Sequence, residues 1–221
     1  GSVSGPTRFM EHGHHFQADV MEGQKTGFFL DQRENRRRIG ALCADKTLLN
    51  VFGYTGGFSV YGAVGGATHV TTVDQAAPAL ATATANLDAN GIEAARHEEV
   101  CADAFTYLDE AASGERRWEV VVLDPPSFAP NQRSVDNATR GYERLIAAGC
   151  RVCNDGAWLL AASCSSHIPM ETFLRICQDG AGKARVRGRV AGHWGQPLDH
   201  PWPLACPDLR YLKAVLMRVE R

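Results

Sequence analysis

Apolar and polar positions repeat with two periods along this chain, and the change between them marks its elements. An apolar run at residues 48–52, interrupted by Asn50, has strand length and empties into a turn containing Gly53, Gly56 and Gly57. Beyond the turn, apolar residues recur at Phe58, Val60, Tyr61 and Val64, the spacing of one helix face. Strand, Gly-rich turn and helix in that order let backbone N–H groups approach a ligand closely, and the helix start favours an anionic group. A second apolar run, residues 69–73, ends in Asp74. In a doubly wound sheet an acid at that place accepts hydrogen bonds from a ribose diol. The glycines do not follow G-x-G-x-x-G, which weakens a nicotinamide reading and leaves a nucleoside reading.

The same alternation continues downstream. An Ala-rich helix is predicted over 76–89, stopped by Asn90-Gly91, with a strand at 97–101 and a helix to about residue 112. Residues 118–123 read as a buried parallel strand that closes in Asp124-Pro125-Pro126-Ser127-Phe128. A helix over 137–153 stops at Asp155-Gly156, and a strand at 157–162 ends in Ser163-Cys164-Ser165-Ser166. A helix over 169–180 and strands at 184–190 and 211–219 complete the pattern, with an irregular loop at 194–203. The expected fold is therefore α/β, a mostly parallel seven-stranded sheet with helices on both faces.

The N-terminal part reads differently. Residues 11–15 suggest a loop with exposed imidazoles, and residues 16–30 a short β-hairpin turning at Glu22-Gly23. A charged helix through Arg33, Arg36 and Arg37 follows. This segment suits either a lid over a cofactor or a cap on the sheet edge. Two parts are expected: an extension over 1–46 and a main domain over 47–221.

Composition narrows the class. The 221 residues are 44% hydrophobic and 22% charged, ordinary globular material, with a formal net charge of −2 that advertises no polyanionic partner. Basic residues still cluster at 33–38 and 183–189, as solvated faces or as phosphate contacts. Seven cysteines without a framework spacing indicate reduced thiols in a cytosolic protein. Cys150 and Cys153 share a C-x-x-C, but the helical apolar pattern around them favours core packing over zinc, and no metal is expected. No apolar run reaches the ~18 residues of a membrane span.

Three residues at strand ends carry the candidate chemistry: Asp74, Asp124 and Cys164. Asp103 either caps the following helix or bonds an adenine amino group. The segments around them, Gly23–Arg33, Leu49–Phe58, Gly65–Ala67, Asp124–Phe128, Ser163–Ser165, Asp199–Pro201 and Tyr211–Lys213, resemble the class I S-adenosylmethionine-dependent methyltransferases. More narrowly, they resemble the bacterial large-subunit rRNA cytosine-5 methyltransferase family, in that family's order along nearly the whole chain. The family's N-terminal RNA-binding domain of the PUA type has no counterpart in these residues.

The resemblance implies S-adenosylmethionine as cofactor, S-adenosylhomocysteine as product and an RNA partner, ribosomal in the first instance. Asn50, Phe52, Tyr54, Thr55, Gly56, Gly57 and Phe58 would hold the methionine part, and Asp74 the ribose hydroxyls. Asp103 and Ala104 would lie by the adenine, Asp124 and Pro125 near the transferred methyl, and Phe28 and Arg33 would close over the cofactor. Cys164 resembles the nucleophile of cytosine-5 methyltransferases, which adds to carbon 6 so that carbon 5 becomes nucleophilic. Asp124 would act on the base ring. His200 and Lys213 also match, without an assigned step. A methyltransferase for a nitrogen or a small molecule, with Cys164 idle, and a non-catalytic cofactor-binding module are the alternatives. A monomer and a homodimer are both compatible with the sequence.

Overall fold

The computed structural model describes residues 5–21, 23, 27–129 and 131–221. Two compact units divide the chain, Gly1–Asp103 and Ala104–Arg221. Their strands belong to a mostly parallel seven-stranded sheet, the α/β class that the alternating pattern implies, and a separate two-stranded ribbon precedes it.

In the first unit, β1 (Thr7–Glu11) and β2 (His14–Ala18) form the antiparallel ribbon, turning at His12 and Gly13 with φ of 48° and 84°. A 3-10 turn at Leu30–Gln32 leads into α1 (Arg33–Gly40). Then come β3 (Thr47–Val51), α2 (Gly57–Val64), β4 (His69–Asp74), α3 (Ala77–Asp88) and β5 (His97–Cys101). β3, β4 and β5 are parallel, with Thr47 beside His69 and Val70 beside His97. Leu48, Leu49, Val51, Val70 and Val73 are completely buried, which is why β3 and β4 read as apolar runs. β5 is one edge strand of the sheet and keeps His97 and Glu98 partly exposed and Glu99 exposed.

In the second unit, α4 (Ala104–Ser113), β6 (Trp118–Leu123), α5 (Val135–Arg151), β7 (Cys153–Ser163), α6 (Met170–Lys183), β8 (Arg187–Trp194) and β9 (Lys213–Glu220) follow in order. β6 and β7 are parallel, whereas β9 lies antiparallel between β7 and β8.

Several expectations shift. The hairpin forms about ten residues earlier than predicted: residues 14–18 are its second arm, and the supposed loop at 11–15 is mostly strand. The expected turn residue Glu22 and residues 24–26 lie outside the described residues. Leu30 belongs to a 3-10 turn, because Phe28 and Phe29 anchor the segment on aromatic neighbours in place of a strand partner. Asp155-Gly156 does not delay β7; the strand starts at Cys153 and absorbs the pair as an irregularity where the register with β6 slips, Gly156 taking φ 71°. α6 runs on to Lys183 because Ala181 continues its buried face, so β8 starts later than predicted. Among the described residues no helix is long and apolar enough to cross a membrane.

Candidate active site

The turn after β3 is built from backbone conformations that side chains resist. Phe52 and Tyr54 have φ of 60° and 46°, and Gly56, the N-cap of α2, has φ 78°. A Cβ at Gly56 would come within 2.7 Å of Ala83 Cβ on α3, and one at Gly53 would collide with Thr72 Cγ2 on β4. At these two positions the turn is thus pressed against β4 and α3 with no room for a side chain.

Asp74 locks that turn. Its Oδ2 accepts a hydrogen bond from the Tyr54 N–H at 2.8 Å, and its Oδ1 one from the Ala76 N–H at 2.9 Å. A carboxylate oxygen has two lone pairs, so each keeps one for a ligand hydroxyl. Asp103 accepts from Gln75 Nε2 at 2.8 Å and so lies beside the residue that follows Asp74.

A buried polar chain supports the turn from behind. Asn50 Nδ2 donates to Ser59 Oγ at 2.9 Å, Ser59 and Thr72 hydroxyls are 2.6 Å apart, and Thr72 Oγ1 is 2.8 Å from His97 Nε2. Asn50 Oδ1 is buried and has no hydrogen-bond partner among the described residues. Burial pushes the His97 imidazole down to about 4, so the chain runs through a neutral ring.

The N-terminal ribbon reaches this turn through α3. Asn86 Oδ1 accepts from the Gln17 N–H at 2.8 Å, and its Nδ2 donates to the Thr55 carbonyl at 2.9 Å. α3 ends at Asp88, just before the expected stop at Asn90-Gly91, where Gly91 has φ 70°, and Asn90 also pairs with both backbone groups of His15. Phe28 is 6% exposed and packs on Phe9 and Phe16, with the Arg36 guanidinium 4.5 Å from its ring centre. Arg33 lies against Glu34. Arg36, read from sequence as part of a solvated or phosphate-facing cluster, is buried in an ion pair with Glu11, because the ribbon folds back over α1.

The second unit holds the other two candidates. Asp124 follows β6 and Cys164 follows β7, and these are neighbouring parallel strands. Around Cys164 the two serines turn inward, both fully buried, while the cysteine stays half-buried. Ser163 Oγ donates to Tyr142 OH at 3.0 Å, and Tyr142 OH lies 3.0 Å from Ser165 Oγ. Ser165 Oγ is 2.9 Å from Ser127 Oγ and accepts from the Ala129 N–H at 3.2 Å. One phenol on α5 therefore fastens the Cys164 corner, and Ser165 fastens that corner to the Pro125-Pro126 turn. Burial pushes the Tyr142 phenol up, so it remains a neutral post.

Cys43, Cys150 and Cys177 are buried, which pushes each thiol up to about 12, and burial raises the Cys153 thiol well above its ordinary value. These four suit core packing and not nucleophilic chemistry. Asp199 and His200 pair with each other at 3.1 Å on the surface loop.

A family model described as S-adenosylmethionine-dependent methyltransferase matches residues 6–190. The chain belongs to this family. A ribosomal RNA large subunit methyltransferase of Deinococcus radiodurans is 39% identical over 212 residues, covering 96% of this chain and 52% of that protein. A ribosomal RNA large subunit methyltransferase I of Aliivibrio fischeri is 37% identical over 209 residues, covering 95% and 53%. The chain thus spans about half the length of the curated relatives it matches. A crystal structure of SMU.776, a proposed methyltransferase complexed with S-adenosylhomocysteine, matches with a TM-score of 0.89 at 29% identity, over 99% of this chain and 57% of that one.

The family's cofactor suits the first unit's residues. A glycine cradle that a Cβ would fill, the orphan acceptor of Asn50 beside it and two unspent lone pairs on Asp74 match a ligand with a cationic amino acid part and a ribose. Sequence reasoning missed Tyr142, Asn86 and Glu11. Each is a polar residue in an otherwise ordinary helical or strand pattern, and only its buried partner gives it meaning. Lys213 carried a visible signal, a lone cation in the apolar run 212–217.

Proposed function

We propose that this chain is the catalytic part of an S-adenosylmethionine-dependent methyltransferase that methylates carbon 5 of a cytosine in large-subunit ribosomal RNA, with Cys164 as nucleophile. The observation that carries the reading is the Ser163-Cys164-Ser165 corner: both serines are spent on the buried Tyr142 network, and the cysteine is left accessible beside a strand that ends in Asp124. The names of the relatives support the RNA acceptor.

In this reading the turn at Asn50, Phe52, Tyr54, Thr55, Gly56, Gly57 and Phe58 binds the methionine part of the cofactor. Asp74 holds the ribose, and Asp103 and Ala104 the adenine. Phe28, among its aromatic neighbours, and Arg33, beside Glu34, close over the cofactor from the N-terminal segment. The bound cofactor supplies an electrophilic methyl on a sulfonium. Cys164 adds its thiolate to carbon 6 of the pyrimidine, which moves the electron pair to carbon 5, where the methyl is received. A base then removes the hydrogen of carbon 5, and the carbon–sulfur bond breaks to return the thiolate. Asp124 and Pro125 form the stiff edge against which the base ring is held, with the carboxylate directing protonation.

The test uses radiolabelled S-adenosylmethionine and unmethylated ribosomal RNA, with wild type compared to Cys164→Ala and S-adenosylhomocysteine binding measured alongside. Label recovered as 5-methylcytosine from wild type alone is the expected result. Label on a nitrogen, or label that survives the substitution, would overturn the cysteine mechanism.

A further inference from the structure

One buried cation in the second unit has no part in the chemistry above. Lys213 opens β9, where the register sets it opposite Ser163 of β7, and it is 2% exposed. Its Nζ donates to the carbonyl oxygens of Ser165 and, at 2.7 Å, of Tyr211. Both acceptors are neutral. An ammonium taken out of water is costly unless an anion or a full set of acceptors meets it. Burial accordingly pushes the amine down to about 8, and the charge acting in the other direction is that of Cys164. The same Ser165 whose carbonyl receives the ammonium is held by Tyr142 and Ser127, so the cation is fixed relative to the corner that carries the sulfur.

We propose that Lys213 is the counter-ion of the Cys164 thiolate, a positioning residue that keeps this sulfur ionised near neutral pH. An opposite charge held close favours the thiolate. Asp124, at the end of the neighbouring strand β6, works against a second anion, and the lysine offsets it. Tyr142 contributes no charge, because burial holds its phenol neutral. The value of this ion pair to catalysis rests on Cys164 being the nucleophile, but the pair itself can be measured without any methyl acceptor.

The measurement is the rate of Cys164 alkylation by iodoacetamide between pH 5 and 10, followed on its own peptide by mass spectrometry. Wild type is compared with Lys213→Met and Lys213→Arg. In wild type the thiol is expected to titrate about one unit or more below the ordinary ~8.5. Lys213→Met should raise that midpoint by about one to two units and slow alkylation at pH 7 by about tenfold or more. Lys213→Arg should keep the low midpoint, which a merely structural lysine would not require. S-adenosylhomocysteine binding and thermal unfolding verify that the variants are folded. A wild-type midpoint at or above ~8.5 overturns the proposal, even if Lys213→Met fails to fold, and so does a Lys213→Met profile that superimposes on wild type. A lysine-dependent midpoint together with label that survives Cys164→Ala would sustain the ion pair and remove the nucleophile reading instead.

Discussion

Arg36 grips both oxygens of Glu11, Nε to Oε1 at 2.8 Å and Nη2 to Oε2 at 2.7 Å, with the two side chains 3% and 4% exposed. The pair joins the N-terminal ribbon to α1. Arg36 also donates to the Phe29 carbonyl, and a Cβ on Gly57 would come within 3.0 Å of its Cδ. The ion pair therefore backs the turn proposed to hold the cofactor.

Removing one partner strands a buried charge. Glu11→Ala is expected to cost about 3–5 kcal/mol in urea unfolding, and Arg36→Met a similar amount. The double substitution Glu11→Leu with Arg36→Met should recover much of the loss, because no lone charge remains. A double variant as unstable as the sum of the two single ones would show that packing, not charge, holds the ribbon.

Tyr142→Phe keeps the ring against Phe128 and Phe173 but deletes the hydroxyl between Ser163 and Ser165. The orphaned hydroxyls should lower stability by about 1–3 kcal/mol. Methyl transfer should fall while affinity for S-adenosylhomocysteine, measured by calorimetry, stays within about twofold, because the first unit carries the turn proposed to hold the cofactor. A matched fall in cofactor affinity would contradict that division of labour.

His97 gives the fold an acid-sensitive point. Burial is the main cause of its low folded value of about 4, against an ordinary 6.5; His69 adds to the shift, and Asp88 and Glu98 oppose it. The unfolded chain binds the proton more readily over that window, so this group's stabilisation is complete above 6.5 and is lost as pH falls towards 4. The free energy of unfolding should drop across that interval in wild type. His97→Gln should flatten this part of the profile, by about one proton in its slope. An unchanged slope would mean that other groups govern the acid limb.

The apolar runs of β3, β4 and β6 and the Gly-rich turn were legible in the chain because they obey local rules: continuous burial on both sheet faces, and backbone conformations that favour glycine. The positions of Asp74, Asp124 and Cys164 followed, since each sits where a readable strand stops. The ribbon was misplaced because residues 7–18 and residues 16–30 alternate almost equally well. Asn86, Asn90 and Glu11 chose the former by partners 25 to 75 positions away. Arg36 looked like a surface charge for the same reason, as its partner cannot be found from spacing. What the amino acids determined unaided was therefore the element order and which residues stand at strand ends. Only the tertiary structure decided which polar groups are buried together: Tyr142 with Ser163 and Ser165, Asn50 with Ser59 and Thr72, Lys213 with the Cys164 corner. Burial makes those choices expensive to break, and burial is a property of the packed chain and not of any window along it.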